Sequence, residues 1–303
     1  MDYYKYWMKT LKQYLTNSHF YAGFLFMAVS ATAFGSAPTF AKLAFDNFIT
    51  PSSLQSYRFL ITFVVILSIT IIAKQNTRPT FAHLPRLLIL ALSTGLSSLC
   101  YMTSVKYIPV AVASLTFFTF PLVVAPISHI MGIDKLSRMK ALAMMIAFCG
   151  LCLLLGTTYS LEWMGVSMAF TAGLFVATSF IVSKQLTDDL SPLTMAVFAT
   201  GLPCFAYTIF SLSSGDLTHP QNFLGSVGLV ANSMCHAIGL TCCYAAIARL
   251  GPMRTAVMMN VEPLISVLAA YLILGQTITF IQSLGIIAVI WGIALMSLSL
   301  IHI

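Results

Sequence analysis

Two stretches decide the fold because they repeat one another: "YMTSVKYIPVAVASLTFFTFPLVVAPISHIMG" (101–132) and "YAAIARLGPMRTAVMMNVEPLISVLAAYLILG" (244–275). The matched positions are Tyr101 and Tyr244, Lys106 and Arg249, and, after a slip of one residue, Pro121 and Pro263. Self-similarity over such a length indicates a chain built from two related halves.

Both stretches lie in a chain that is too apolar for a soluble domain. Hydrophobic residues make up 59% of it and charged residues only 8%, with a mean hydropathy of +0.92, whereas soluble domains carry about 25% charged residues. A membrane-spanning helix needs about 20 mainly apolar residues. The sequence predicts an all-α polytopic membrane protein with ten transmembrane helices. The predicted spans are 20–44, 53–73, 85–106, 110–131, 138–156, 162–184, 191–213, 221–247, 252–274 and 279–301.

Five of these spans fall in each half of the repeat. The first half covers residues 20–156 and the second covers residues 157–303. Because five is an odd number, the second half must enter the membrane from the opposite face, which predicts an inverted repeat. Secondary transporters are often built in this way, with the substrate site near the middle of the membrane where the halves meet.

The positions of Lys and Arg predict the orientation of the chain. Twelve of the 15 basic residues fall on the side of the N-terminus and three on the other side, and cytoplasmic loops are enriched in Lys and Arg. Both termini are therefore predicted to lie in the cytoplasm, and the protein is predicted to lie in the cytoplasmic (inner) membrane. Residues 1–19 are predicted to form an interfacial tail. The basic residues form no continuous stripe, so the net charge of +7 does not predict nucleic-acid binding.

Two motifs resemble a known family. They are "FGSAPTFAKLAFDNFITPSSLQSYRFLI" (34–61), in which Lys42 ends the first span and Arg58 closes a P-x6-R, and "VEPLISVLAAYLILGQTIT" (261–279). With the ten-span plan they resemble the EamA branch of the drug/metabolite transporter superfamily over residues 20–302. For Lys42 and Arg58 the resemblance implies an outer gate or a partner for an anionic substrate group. The residues alone also allow both side chains to snorkel to the interface.

Glu262 is the first candidate for a functional side chain. It lies near the middle of the predicted ninth span, where an ionised acid costs roughly 2.5 to 3.5 kcal/mol on insertion scales. Thr255 and Ser266 predict a hydroxyl-lined face around it at helical spacing. Three interpretations stay open: the acid ties helices together, it carries a coupling proton, or its ionised form pairs with a substrate cation.

Further polar and aromatic residues complete a predicted pocket. Its members besides Glu262 are Asn260, His236, Tyr101, Phe118 and Tyr244. Across the repeat Asn260 matches Phe118 and Glu262 matches Phe120, so one half supplies polar groups where the other supplies rings. A lone His such as His236 often serves only in packing, but a titratable group inside a membrane is also a candidate for function.

Pro121 and Pro263 predict a kink in the fourth and ninth spans, because proline lacks the N–H that would continue the helical hydrogen bonds. Inside a membrane, the backbone groups released in this way are tolerated where protein or a water-filled cavity satisfies them. We interpret the Glu262-Pro263 pair as the lining of such a cavity.

These patterns together predict a transporter that moves a small organic metabolite, such as an amino acid or a related amine, by alternating access, with proton coupling as an option. Its expected partners are the substrate and the lipid bilayer, and the uncharged tenth span also suits a homodimer interface. No cofactor, metal or catalytic residue is expected, and the absence of a P-loop argues against ATP as the direct driver.

The alternatives are a non-transporting interaction or scaffold protein and an intramembrane hydrolase. A hydrolase would need a nucleophilic Ser with a His, or paired Asp residues within the membrane, and the sequence contains neither arrangement.

Overall fold

The computed structural model describes residues 2–74, 79–108, 110–155, 162–274 and 279–298. Every regular element in these ranges is helical. The α-helices are α1 (Asp2–Phe45), α2 (Pro51–Ile72), α3 (Leu84–Ser104), α4 (Val110–Phe117), α5 (Phe120–Ile130), α6 (Arg138–Leu155), α7 (Trp163–Leu186), α8 (Pro192–Ser214), α9 (Phe223–Leu250), α10 (Pro252–Met258), α11 (Val261–Leu274) and α12 (Phe280–Leu298).

Eight helical segments in the described ranges are long and apolar enough to cross a bilayer. They are His19–Phe45, Pro51–Ile72, Phe81–Ser104, Val112–Ile130, Trp163–Leu186, Pro192–Ser214, Phe223–Leu250 and Pro252–Ile273, and Phe280–Met296 is a shorter apolar helix. The chain is therefore a multi-pass membrane protein. Helix α1 begins at Asp2, so no break in the backbone marks the predicted boundary between the tail and the first span.

Two helices in equivalent places of the two halves begin in the same way. Thr50 caps α2 and accepts a hydrogen bond from the backbone N of Ser53 at 3.3 Å, and Ser191 caps α8 and accepts one from Thr194 at 3.2 Å. A proline follows each cap at the first helical position. A hydroxyl cap followed by proline satisfies an exposed N–H and presets the backbone angle, so both helices start sharply.

The helix contacts are symmetric between the two halves: a contact that a helix makes in one half is also made by the equivalent helix of the other half. Helix α1 has its widest contact with α9, and α7 has its widest contact with α3. Helix α1 also packs on α11, and α7 packs on α4 and α5. The pairs α2 with α8 and α6 with α12 join one helix from each half. The main hydrophobic core accordingly draws on helices from both halves.

Glycines bring α6 and α12 into backbone contact. A Cβ atom added to Gly150 would lie 2.6 Å from the backbone N of Val289, and one added to Gly292 would lie 2.6 Å from that of Ala147. Small residues that let helix backbones approach closely are a main source of helix association in membranes. The α6–α12 pair therefore depends on these glycines.

We expect Gly292→Ala to lower the apparent melting temperature of the purified protein by several degrees. The new methyl group meets the Ala147 backbone, which cannot move aside, and overpacking of this kind costs about 1 to 3 kcal/mol. Gly201→Ala is the matched control, because its methyl would meet only the ring edge of Phe63 at 3.3 Å. Equal melting temperatures for the two variants would contradict the proposed role of the α6–α12 contact.

Candidate functional site

Two short turns interrupt the predicted fourth and ninth spans. Residues 118–119 separate α4 from α5, and residues 259–260 separate α10 from α11. The turns lie just before Pro121 and Pro263, the two prolines for which the sequence predicts a kink in these spans. Both turns lie near the middle of their spans and at matching places in the repeat.

Backbone hydrogen bonds to the third preceding residue carry the chain through each turn. The N–H of Thr119 donates to the carbonyl of Thr116 at 3.2 Å, and the N–H of Asn260 donates to that of Val257 at 3.2 Å. This pattern is that of a tighter 3₁₀ turn. Pro121 and Pro263 follow directly, where their missing N–H groups remove the bonds of a regular α-helix.

A glycine from the opposite half covers a carbonyl beside each turn. A Cβ on Gly35 of α1 would lie 2.6 Å from the carbonyl oxygen of Glu262, and one on Gly173 of α7 would lie 2.8 Å from that of Phe117. Only a residue without a side chain allows this approach. The two turns are therefore covered by α1 and α7.

Glu262 lies in the first turn of α11 and is half-buried. No hydrogen bond or ion pair joins its carboxylate to another residue in the described part of the chain. Its charge acts on Tyr101 of α3 and on Cys243 of α9. The hydroxyl of Tyr101 also pairs with Ser114 of α4 at 2.7 Å. We call Glu262, Tyr101, Ser114 and Cys243 the acid side.

Thr255, one of the two residues of the predicted hydroxyl face, lies in α10, before the turn. The Thr255 hydroxyl donates to the carbonyl of Gly251 at 2.8 Å and is fully buried. The hydroxyl-lined face around Glu262 therefore stays a prediction.

Asn260 lies in the turn itself and is 1% exposed. Its side-chain oxygen Oδ1 is buried and has no hydrogen-bond partner. Leaving a buried polar group without a partner costs about 1 to 3 kcal/mol. The turn thus holds an unsatisfied acceptor two residues before Glu262.

Aromatic rings extend from the acid side toward α7. Phe117 makes an edge contact with Tyr101 at 5.3 Å between ring centroids and a second one with Phe118 at 5.3 Å. Phe120 continues the cluster to Phe180 at 5.3 Å. Phe118, predicted to shape the pocket, is 5% exposed in the core of this cluster.

Tyr244, the other predicted aromatic, lies in the packed core between α9, α7 and α3. It is 1% exposed, and its hydroxyl faces Ser179 and Thr94 without making a hydrogen bond of ordinary geometry to either. The structure therefore places Tyr244 among packed helices, while Tyr101, its match in the repeat, lies beside Glu262.

Arg58 reaches from α2 to α3. Its Nη2 donates to the hydroxyl of Ser98 at 2.8 Å, and Gln55 donates to the same hydroxyl. The guanidinium lies over the Phe59 ring at 5.2 Å, and its Nε is buried without a partner. The charge of Arg58 also acts on Tyr207 of α8. We call Arg58, Gln55, Ser98 and Tyr207 the arginine side.

Lys42 has different surroundings from Arg58, although the sequence could not separate them. Lys42 is exposed at the end of α1 and pairs with Asp46, one turn later, at 3.0 Å. An exposed ion pair at this spacing contributes little to stability.

His236 joins the arginine side to α9. Its Nδ1 lies 3.2 Å from the hydroxyl of Thr62, and its ring meets Phe34 and Phe59 edge-on at 5.9 and 5.2 Å. The charge of Arg58 acts on this ring. With 8% of its surface exposed, His236 is a packed and hydrogen-bonded residue near the half-buried Arg58.

At one end of the molecule a carboxylate closes against the start of α10. Asp134 accepts a hydrogen bond from the backbone N of Met253 at 3.3 Å. Burial raises the pKa of Asp134 above its ordinary value, and the positive charges of Lys140 and Arg254 oppose that rise. At the other end, Ser53 of α2 binds residues 216 and 218 of the α8–α9 loop.

The sequence interpretation missed three members of the arginine side. Gln55 precedes Arg58 by three residues and Ser98 precedes Tyr101 by three, so both lie on the helix face of a residue that was predicted. That spacing was a usable signal. No such spacing in the sequence pointed to Tyr207, because it reaches the site through the packing of α8 on α2 and α3.

Comparison with known proteins gives two kinds of similarity. The profile of the EamA-like transporter family matches residues 21–156 and 163–298. An uncharacterised transporter of Archaeoglobus fulgidus is 26% identical over 207 residues, which cover 68% of this chain and 74% of that protein. The threonine/homoserine exporter RhtA of Salmonella typhimurium is 26% identical over 207 residues, 67% of this chain and 68% of that one.

A solved crystal structure has the same fold. It superposes with a TM-score of 0.77 at 15% sequence identity and covers 93% of this chain and 97% of the other. At this identity the similarity concerns the arrangement of the helices only.

We expect Thr62→Val to lower the melting temperature, whereas Thr62→Ser, which keeps the hydroxyl, should stay close to the wild type. The valine leaves the buried Nδ1 of His236 without its partner, at a cost of about 1 to 3 kcal/mol. Thermal unfolding in detergent measures the difference. If the serine variant is the less stable of the two, methyl packing and not the hydrogen bond holds His236 in place.

Proposed function

The chain belongs to the EamA-like transporter family, and on that premise we propose that it is a secondary transporter that moves a small organic metabolite across the cytoplasmic membrane by alternating access. An amino acid or a related amine is the proposed substrate. The threonine/homoserine export that names the relative RhtA makes amino acids the first compounds to test.

The observation that carries this proposal is the unpaired Glu262 beside a broken helix. A carboxylate inside a membrane normally has a partner, and such residues mark substrate or ion pathways. Interrupted helices near the middle of the membrane are where secondary transporters bind substrates and coupling ions. In our proposal Glu262 pairs with a cationic substrate group or carries a coupling proton.

The neighbouring residues supply the rest of the proposed site. The unpaired Oδ1 of Asn260 accepts a hydrogen bond from the substrate, and Tyr101 contributes a hydroxyl beside the carboxylate. The cluster around Phe118 gives an apolar wall. His236 and Tyr244 support the walls from within the core, and Lys42 acts at the outer entrance.

Alternating access follows from the two interrupted helices. Each turn is a point at which half of a span can tilt with few hydrogen bonds to break. The Ser53 contacts would hold one end of the molecule closed, and the Asp134 contact with α10 would hold the other. Transport requires the two ends to open in turn while Glu262 stays between them.

We also propose the complete membrane arrangement. Helices α6 and α12 join the eight long segments to make ten spans, divided into the inverted halves 20–156 and 157–303, with both termini in the cytoplasm. The matching of helix pairs on exchange of the halves supports this arrangement, and the large hydrophobic side chains exposed on α12 suit either lipid or a second copy of the chain.

We expect Glu262→Gln to reduce flux of the substrate at least tenfold in proteoliposomes tested with amino acids, amines and nucleosides. The neutral amide keeps the shape of the acid but removes a charged hydrogen bond, which is worth about 1.5 to 3 kcal/mol. Glu162→Gln is the matched control, because Glu162 is exposed at the start of α7 and outside the proposed site.

Normal flux through Glu262→Gln at every pH between about 5.5 and 8.5 would exclude both roles given to this acid. A folded wild-type protein that moves none of the compounds would contradict the transporter proposal itself.

Reporter fusions test the arrangement in the membrane. Green fluorescent protein fused after Ile303 should be fluorescent, and alkaline phosphatase fused at the same position should be inactive, because the C-terminus is proposed to lie in the cytoplasm. A fusion after Gly215, three proposed spans earlier, should give active phosphatase. Equal phosphatase activity at both positions would mean that the number of spans between them is even.

A further inference from the structure

Residues 2–18 form the part of α1 that precedes the apolar segment His19–Phe45. We call them the N-terminal segment. The match to the EamA-like transporter family begins at residue 21, so this segment lies outside the part of the chain that the family shares. Its backbone is helical and continues into His19–Phe45 without a break. At a rise of 1.5 Å per residue, the segment adds about 25 Å of helix next to the membrane.

The helical register divides the N-terminal segment into two faces. At about 3.6 residues per turn, Lys5, Lys9 and Lys12 fall within one arc of about 60°. Aromatic and apolar residues fall within a separate arc of about 120°. They are Tyr4, Trp7, Met8, Leu11, Tyr14 and Leu15. A helix with lysines on one face and Trp and Leu on the other is typical of segments that lie in the membrane interface.

The charge of the N-terminal segment is positive. Asp2 is the only acidic residue before Asp46, and it stands against Lys5, Lys9 and Lys12. A lysine close to a surface of anionic lipid favours the membrane-bound state by about fivefold, so three lysines together favour it on the order of a hundredfold. The apolar face would enter neutral and anionic bilayers alike, whereas the lysines distinguish between them.

Three residues of low helix propensity separate the two faces from the first span. They are Thr16, Asn17 and Ser18, whose side chains compete for backbone hydrogen bonds and so weaken a helix. A bend at this point costs less than a bend elsewhere in α1, and it allows the N-terminal segment to lie along the membrane surface. Trp and Tyr are also the residues most enriched at that depth.

We propose that the N-terminal segment binds anionic phospholipid, with Lys5, Lys9 and Lys12 on lipid phosphate groups and the apolar face at the boundary between headgroups and acyl chains. To the interfacial position predicted for residues 1–19 the proposal adds a lipid of defined charge. Bilayer lipid is the partner because the helix that carries the segment continues into a membrane span, which keeps it within about 25 Å of the headgroups. The proposal does not depend on which compound the protein transports.

Fluorescence of Trp7 in the full-length protein tests the proposal. Trp163→Phe and Trp291→Phe leave Trp7 as the only tryptophan. This protein is reconstituted in two kinds of liposome with the same share of phosphatidylcholine brominated on its acyl chains, and the remaining lipid is either phosphatidylcholine or phosphatidylglycerol. We expect bromine to quench Trp7 at least about twofold more strongly in the anionic liposomes. Salt at about 0.5 M should remove most of this difference by screening.

Two triple variants of this single-tryptophan protein separate the lysine face from general charge. Replacement of Lys5, Lys9 and Lys12 by Gln should make the quenching of Trp7 equal in the two kinds of liposome. The matched control removes three exposed cations elsewhere and should keep the full difference. Its substitutions are Lys74→Gln, Lys135→Gln and Arg138→Gln.

Equal quenching of Trp7 in neutral and anionic liposomes, before any lysine is changed, overturns the proposal even if the triple variants do not fold. A difference that survives the loss of Lys5, Lys9 and Lys12 overturns it as well. Quenching that follows the ratio of protein to lipid and not the lipid charge would show that the segment binds a second copy of the chain, which also contradicts the proposal. None of these results bears on flux through the protein, so the proposed function is tested separately.

Discussion

The requirement that every backbone polar group inside a membrane finds a partner governs the centre of this protein. Two spans are interrupted near their middles, and each turn is carried by hydrogen bonds to the third preceding residue. In lipid the released groups would cost several kcal/mol each. They are tolerated because α1 and α7 lie directly against the turns, where Gly35 and Gly173 admit the carbonyl oxygens. Both turns, and with them the proposed site, therefore lie at contacts between the two halves.

Several of these features could be predicted from the sequence, for identifiable reasons. The apolar runs between polar loops depend on local composition, and they predict the helical membrane fold. The repeated stretches at 101–132 and 244–275 and the position of Glu262 within its apolar run predict that this acid lies near the middle of the membrane. The EamA-like family match over both halves confirms the resemblance read from residues 34–61 and 261–279.

Other features depend on contacts between distant segments and were out of reach. The turns at 118–119 and 259–260 are an example, since each is covered by a glycine of the other half, Gly173 of α7 and Gly35 of α1. Lys42 and Arg58 looked alike as cations near helix ends. One is exposed and pairs with Asp46, and the other enters the protein to bind Ser98, a difference set by the packing of α2 on α3 and α8. Tyr207 joined the site only through that packing.

The same contacts couple the two charged groups to the movement of the helices. Gly35 fixes α1 against the Glu262 turn, and Ser30 on the same helix donates to the carbonyl of Gly239 on α9 at 2.8 Å. His236 on α9 contacts Thr62 of α2, the helix that carries Arg58. In the proposed alternating access, a shift of α1 or α9 therefore acts on the helices that carry Glu262 and Arg58. A ligand that binds Glu262 more tightly in one state than in the other favours that state, and such differential affinity is what allows binding to drive a conformational change.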